Sequence, residues 1–204
     1  MAMPGGRPRQ FVEAHALDRA LELFWTSGYE GISVNALSAA MGVNKPSLYA
    51  TFGSKEELFR RVVQLYTQRE MHYAHEALQA PTAREVVRQY LLANADALTK
   101  PDRPRGCLTL QGGLSCAPEN AAIRKLLAAS RVAGERALAD RLRLAVEEGD
   151  LPASSDPDTL ARFVMTYSQG QAVHASDGAT TAELRESAEV ALRVFDQFVA
   201  GSEL

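Results

Sequence analysis

Between Ser33 and Lys55 stands a set of side chains suited to nucleic acid rather than to catalysis. Asn44, Lys45, Pro46 and Ser47 open a short apolar-periodic segment with small, hydrogen-bonding or cationic groups, the types that reach base edges and phosphates from a helix end. Lys45 and Ser47 are placed to meet bases. Ser33, Tyr49, Thr51 and Lys55 flank them where phosphates would pass, and Arg7 and Arg9 lie in a Gly- and Pro-rich basic arm that could enter a minor groove. A solvated tail is the plainer reading of that arm. Enzyme chemistry has less to rest on, because the chain has no Gly-rich phosphate loop after a strand, no GxSxG and no HExxH.

These groups need a rigid support. Val34, Leu37 and Met41 recur at helical spacing, Gly42 ends that helix, and a second one buries Leu48 and Phe52, which together form a helix-turn-helix. Ser33 can cap the first helix, and Pro46 is tolerated because the first turn has no N–H partner to lose. Ahead of them Leu17, Ala20, Leu21 and Phe24 give a support helix over Phe11–Ser27, with Trp25 and Tyr29 as core aromatics.

The segment Leu17 to Tyr66 resembles the TetR/AcrR transcriptional regulators, through GYEGISV, AAMGV, LYATF and SKEELF. The resemblance implies an all-α, dimeric, operator-binding repressor, with a small-molecule inducer held in a larger C-terminal half and released DNA as the response. It also implies a phosphate contact at Ser33, and a short helix beside the inducer pocket at the Gly-Cys-Leu of residues 106–108. The expected division is residues 1–55 for the arm and head, and 56–204 for ligand binding and dimerisation.

Composition is compatible with this. The 204 residues are 46% hydrophobic and carry a net charge of −3, enough apolar content for a real core but no broad cationic field. Over residues 1–60 the charges balance, and the surplus of acid lies beyond. DNA affinity must then come from a few placed cations. The two cysteines, Cys107 and Cys116, and the four histidines match no paired zinc spacing, and no metal or cofactor is expected. His72, His75 and Glu76 are a weaker metal possibility, with exposed histidines as the alternative. No signal peptide or membrane-spanning run is read, so a reducing cytoplasm is the expected location.

After the head, Ser54-Lys55-Glu56-Glu57 opens one long helix to about Leu78, which would carry motion between the halves. Pro81 stops it, and Thr82 with Glu85 starts the next. Further helices follow from Pro118 to Gly149, from Asp156 and from Thr180, for about nine in all and no sheet. A mostly apolar pocket is expected around Leu91, Cys107, Leu110, Gln111, Leu114, Met165 and Gln169. Cys107 could be a reactive thiolate activated by Arg103 and Arg105, or a small buried hydrophobe. The dimer is expected on the last two helices around Phe163, Tyr167, Leu192 and Phe195. A DNA-binding architectural protein without ligand is the alternative function, and an all-helical enzyme the more distant one.

Overall fold

The computed structural model describes the backbone of residues 7–114 and 116–200, and side chains from residue 13. Ten α-helices make up the described residues: α1 (Arg7–Ser27), α2 (Val34–Met41), α3 (Lys45–Phe52), α4 (Lys55–Glu70), α5 (His72–Ala77), α6 (Ala83–Leu98), α7 (Leu108–Gln111), α8 (Ala121–Glu147), α9 (Pro157–Ser176) and α10 (Thr181–Val199). A 3₁₀ turn, Pro118–Asn120, precedes α8.

Helices α1 to α4 enclose an aromatic core. Phe24 stands edge-on to Phe59 at 4.9 Å, Tyr29 edge-on to the same ring at 5.2 Å, and Trp25 edge-on to Tyr66 at 4.7 Å. Each such pair contributes roughly 0.5–1.5 kcal/mol beyond its burial. Trp25 and Tyr29 are therefore core, as their positions at the end of a support helix suggest. Leu37 of α2 and Leu48 of α3 pack into the same cluster, which continues through Leu108 of α7 to Ile123 and Leu127 of α8. The head is thus bonded by apolar contact to the rest of the chain. A second core joins α6, α8, α9 and α10 around Leu91, Leu142, Val164, Leu192 and Phe195.

Two expectations about helices are corrected. The arm reads as irregular to Gln10, but α1 begins at Arg7, because Pro8 in a first turn forfeits no helical hydrogen bond. Ala2–Gly6 and the side chains of Arg7 and Arg9 lie outside the described residues. The long helix from Lys55 is two helices, separated at Met71 (φ −109°, ψ 11°). No proline or glycine marks that break. His72 Nδ1 donates to the Arg69 carbonyl at 2.9 Å, occupying the acceptor that a continuous helix would offer to Tyr73. Beside it the buried Glu70 carboxylate is held by Lys100 at 3.2 Å and Arg103 at 3.3 Å. The break thus coincides with tertiary bonds that no helical pattern encodes.

Candidate functional site

The turn between α2 and α3 depends on Gly42, whose φ of 67° places it in the left-handed region, where a side chain is disfavoured. The turn delivers Asn44 as the cap of α3: its Oδ1 accepts from Ser47 N at 2.8 Å. That bond uses the carboxamide oxygen and leaves the NH₂ for an acceptor. Leu48 and Phe52 face inward, while Asn44, Lys45, Pro46, Ser47, Tyr49 and Thr51 are all exposed. Tyr49 is 47% exposed, a ring held on the outer face of α3 rather than folded into the core.

The neighbouring helix starts point free N–H groups outward and suit anions. Ser33 Oγ accepts from Ala36 N at 3.1 Å, and Ser54 Oγ from Glu57 N at 3.0 Å. An accepting hydroxyl still has its own proton to donate. Lys55, half-buried on the first turn of α4, places Nζ 4.4 Å from the centre of the Tyr29 ring. Burial lowers its pKa from the ordinary lysine value, with the Glu30 carboxylate opposing. Glu30 is held below the usual carboxylate range by Asn120, which donates at 2.9 Å, and by the Ala117 N–H. Arg19 and Arg60 are engaged with Glu22 and Glu56.

A cavity of about 530 Å³ opens between α5, α6, α7, α8 and α9, within the size of small-molecule sites. Cys107, Leu110, Met165 and Gln169 line it as expected from sequence. Leu91, Gln111 and Leu114 do not. Leu91 is fully buried in the α6–α10 core, because adjacent residues on a helix differ by about 100° and it is Tyr90 that turns to the cavity. The Gln111 side chain folds back against Gly106, where its carboxamide would lie 2.6 Å from an added Cβ. Leu114 is 60% exposed.

Sequence reasoning missed Tyr73, Tyr90, Asn94, Thr109 and Arg131 on the cavity wall. The i,i+4 spacing of Tyr90 and Asn94 was the available signal. Tyr73 Oη donates to Asn94 Oδ1 at 2.6 Å, and Asn94 Nδ2 donates to Gln171 Oε1 at 2.7 Å. Gln171 Nε2 in turn donates to the carbonyls of Leu91 and Leu184, each at 3.3 Å. Burial drives the Tyr73 phenol well above its ordinary pKa, and does the same to Tyr66 near Cys107.

The expected activation of Cys107 lacks its cations. Arg103 pairs with Glu70, and Arg105 donates to the carbonyls of Ala175 and Ala179. The thiol instead lies 3.1 Å from the Thr109 hydroxyl, and α7 below it is only four residues long. The exposed His72 and His75 stand on the cavity rim, and His72 Nε2 approaches Glu76 to 4.0 Å. Among the described residues no group of three potential metal ligands converges.

The expected interface residues divide. Leu192 and Phe195 are 1% and 0% exposed within this one chain, because α10 turns them onto α6, so they cannot form an intersubunit surface. Phe163 and Tyr167 are half-buried, and Tyr167 Oη shares a 2.5 Å hydrogen bond with Ser187 Oγ. The exposed apolar side chains of these helices are Val173, Val190 and Val194.

Known proteins share this fold. Residues 16–62 match the model of the bacterial regulatory proteins of the tetR family, and residues 83–192 that of the tetracyclin repressor-like C-terminal domain. The chain belongs to the TetR family. It is a regulatory protein with a DNA-binding helix-turn-helix, not an enzyme. Among its TetR relatives, the HTH-type transcriptional repressor ComR of Escherichia coli K12 is 33% identical over 196 residues, spanning 95% of this chain and 93% of that one. A cysteine-substituted form of the regulator CifR, complexed with a 26 bp double-strand operator DNA, is 38% identical with a TM-score of 0.86, over 96% of this chain and 100% of that one. A TetR regulator from Rhodococcus sp. RHA1 is 40% identical with a TM-score of 0.61, over 88% and 96% of the two chains. No helix among the described residues is long and apolar enough to cross a membrane.

Proposed function

We propose that this protein is a transcriptional repressor that holds an operator as a homodimer and is released when a small, largely apolar molecule enters the cavity between α5 and α9. Operator binding is supported by the exposed polar end of α3 and by CifR, whose operator complex shares the fold. Lys45 and Ser47 read base edges, with Asn44 and Pro46 shaping the helix start; Ser33, Tyr49, Thr51 and Lys55 hold phosphates, and Arg7 and Arg9 enter the minor groove. The natural division is a head over residues 1–55 and a ligand and dimer region over 56–204. A cytoplasmic location follows from the DNA partner.

The observation that carries ligand release is the position of α7. Cys107, Thr109 and Leu110 form part of the cavity wall. The same short segment accepts two hydrogen bonds from the head, Trp25 Nε1 to Gly106 O at 3.2 Å and Tyr29 N to Gly112 O at 3.3 Å. A ligand that favours one seating of α7 therefore shifts the head in proportion to its differential affinity for the two states. Pairing of two heads follows from α9 and α10, whose outer faces present Val173, Val190 and Val194 beside Phe163 and Tyr167.

Neutral apolar compounds should be screened for release of operator DNA from the wild type and from Gly134→Phe. Gly134 lines the cavity, and a Cβ there would lie 3.8 Å from Met165 Cε, so the ring fills the space. Release from the wild type alone supports the reading, whereas equal release from both removes the cavity as the entry point.

A further inference from the structure

The polar groups of the cavity are unequal in what they still have to give. Tyr73 donates to Asn94, Asn94 donates to Gln171, and the Ser168 hydroxyl donates to the Met165 carbonyl at 3.0 Å. Each of those groups is satisfied within the protein. Tyr90 differs from these: it is 5% exposed, faces the cavity, and the acceptor its hydroxyl reaches is the Met165 thioether at 3.3 Å, with the Ser168 hydroxyl beside it. A thioether is a weak acceptor, so this donor stands almost unmatched in an apolar surround.

The wall is also poor in usable charge. No aspartate or glutamate lines it, and its one guanidinium, Arg131, donates to the Thr109 carbonyl. An ammonium carried inward would find no carboxylate, and a carboxylate would give up its hydration for little more than the neutral phenol, because Arg131 is turned to Thr109 and His72 and His75 stand at the exposed rim. An uncharged oxygen acceptor would find Tyr90. Burial pushes that phenol up to about 12, the Ser168 hydroxyl only partly opposing, so it remains a donor throughout the physiological range.

Resting on the reading of this cavity as the ligand site, we propose that Tyr90 is its specificity-determining residue, selecting an uncharged, largely apolar molecule whose single acceptor oxygen (ketone or ether) replaces Met165 as the partner of the phenol. The apolar body of the ligand lies against Leu110, Leu138 and Met165. Charged amphiphiles of the same length are rejected by desolvation rather than by size.

The test uses the full chain without DNA and three probes of equal carbon number, 2-nonanone, nonane and nonanoate, with wild type and Tyr90→Phe. The ketone should bind the wild type, nonanoate at least tenfold more weakly, and Tyr90→Phe should lose about fivefold to tenfold for the ketone. Nonane should bind both proteins alike, a result that a merely misfolded variant would not give. Nonanoate binding as tightly as the ketone, or an unchanged ketone affinity in Tyr90→Phe, overturns the proposal and leaves the cavity standing. Failure of all three probes to bind a wild type that still holds operator overturns the cavity as a ligand site, and this proposal with it. Ketone binding without operator release leaves Tyr90 as the selector and refutes the release mechanism alone.

Discussion

Trp25 Nε1 donates to the Gly106 carbonyl at 3.2 Å, joining two residues 81 positions apart and linking the end of α1 to the segment that enters α7. The bond is buried, and Trp25 also stacks edge-on to Tyr66 of α4. Three elements of the head-to-cavity junction therefore meet at one indole. Trp25→Phe keeps most of the ring but leaves the buried carbonyl unmatched, and should cost about 1–3 kcal/mol. Because the chain has a single tryptophan, urea unfolding must be followed by circular dichroism. Unchanged stability would show that the bond contributes nothing.

Lys55 and Lys45 should separate in their effects on DNA. Lys55→Ala is expected to weaken binding to all sequences alike and to lower the salt slope by about one, since it removes one phosphate contact. Lys45→Ala is expected to relax preference at one operator position. Salt titrations on operator and random DNA read both, and an unaltered salt slope in Lys55→Ala would place its ammonium away from phosphate.

The fate of α10 depends on which face is changed. Leu192→Ala leaves a cavity in the α6–α10 core and should cost about 2–5 kcal/mol of stability. Val190→Glu alters only an exposed side chain, 51% accessible in the single chain, so the fold should persist. It should nevertheless dissociate the proposed dimer, because an unpaired carboxylate would be buried at a contact through this face. Sedimentation of Val190→Glu as an intact dimer would move the interface elsewhere.

The helix starts, those of the head included, were legible in the sequence because their signals are local. Ser33, Asn44, Ser54, Thr82, Asp156 and Thr180 cap the helices they precede, through side-chain bonds to backbone N–H groups two or three residues on. Such bonds are fixed by spacing alone. The pocket was read less well, because a helix with two buried faces does not say which one meets a void. Leu91 and Tyr90 are both buried on α6, yet only Tyr90 lines the cavity. The same ambiguity placed Leu192 and Phe195 at an interface when they face α6. The break at Met71 was invisible for another reason: Lys100 and Arg103, which clamp Glu70, lie about 30 residues downstream.

Alkaline titration provides an independent check on the burial of three phenols, two of them, Tyr73 and Tyr90, on the cavity wall. Tyr90 has its folded pKa raised from 10.0 to about 12, and Tyr66 and Tyr73 are raised well above the same value. A raised folded pKa means the neutral form is favoured by folding. The stability it reflects is fully present below pH 10 and is lost as pH rises through the folded values. Tyrosinate absorbance should therefore appear later in the native protein than in denaturant, with unfolding accelerating above about pH 10. Ionisation of all tyrosines together near pH 10 in a still-folded chain would show that these phenols are accessible to water.

Reading of an operator by the exposed start of α3, in a paired arrangement, is tested by a footprint of the wild-type protein on the DNA flanking its own gene, repeated with Lys45→Ala and Asn44→Ala. Two protected half-sites are expected on one face of the duplex, with centres separated by one helical turn or a multiple of it, and loss of that specific protection in the variants. No protected sequence, or identical protection by the wild type and both variants, would contradict it.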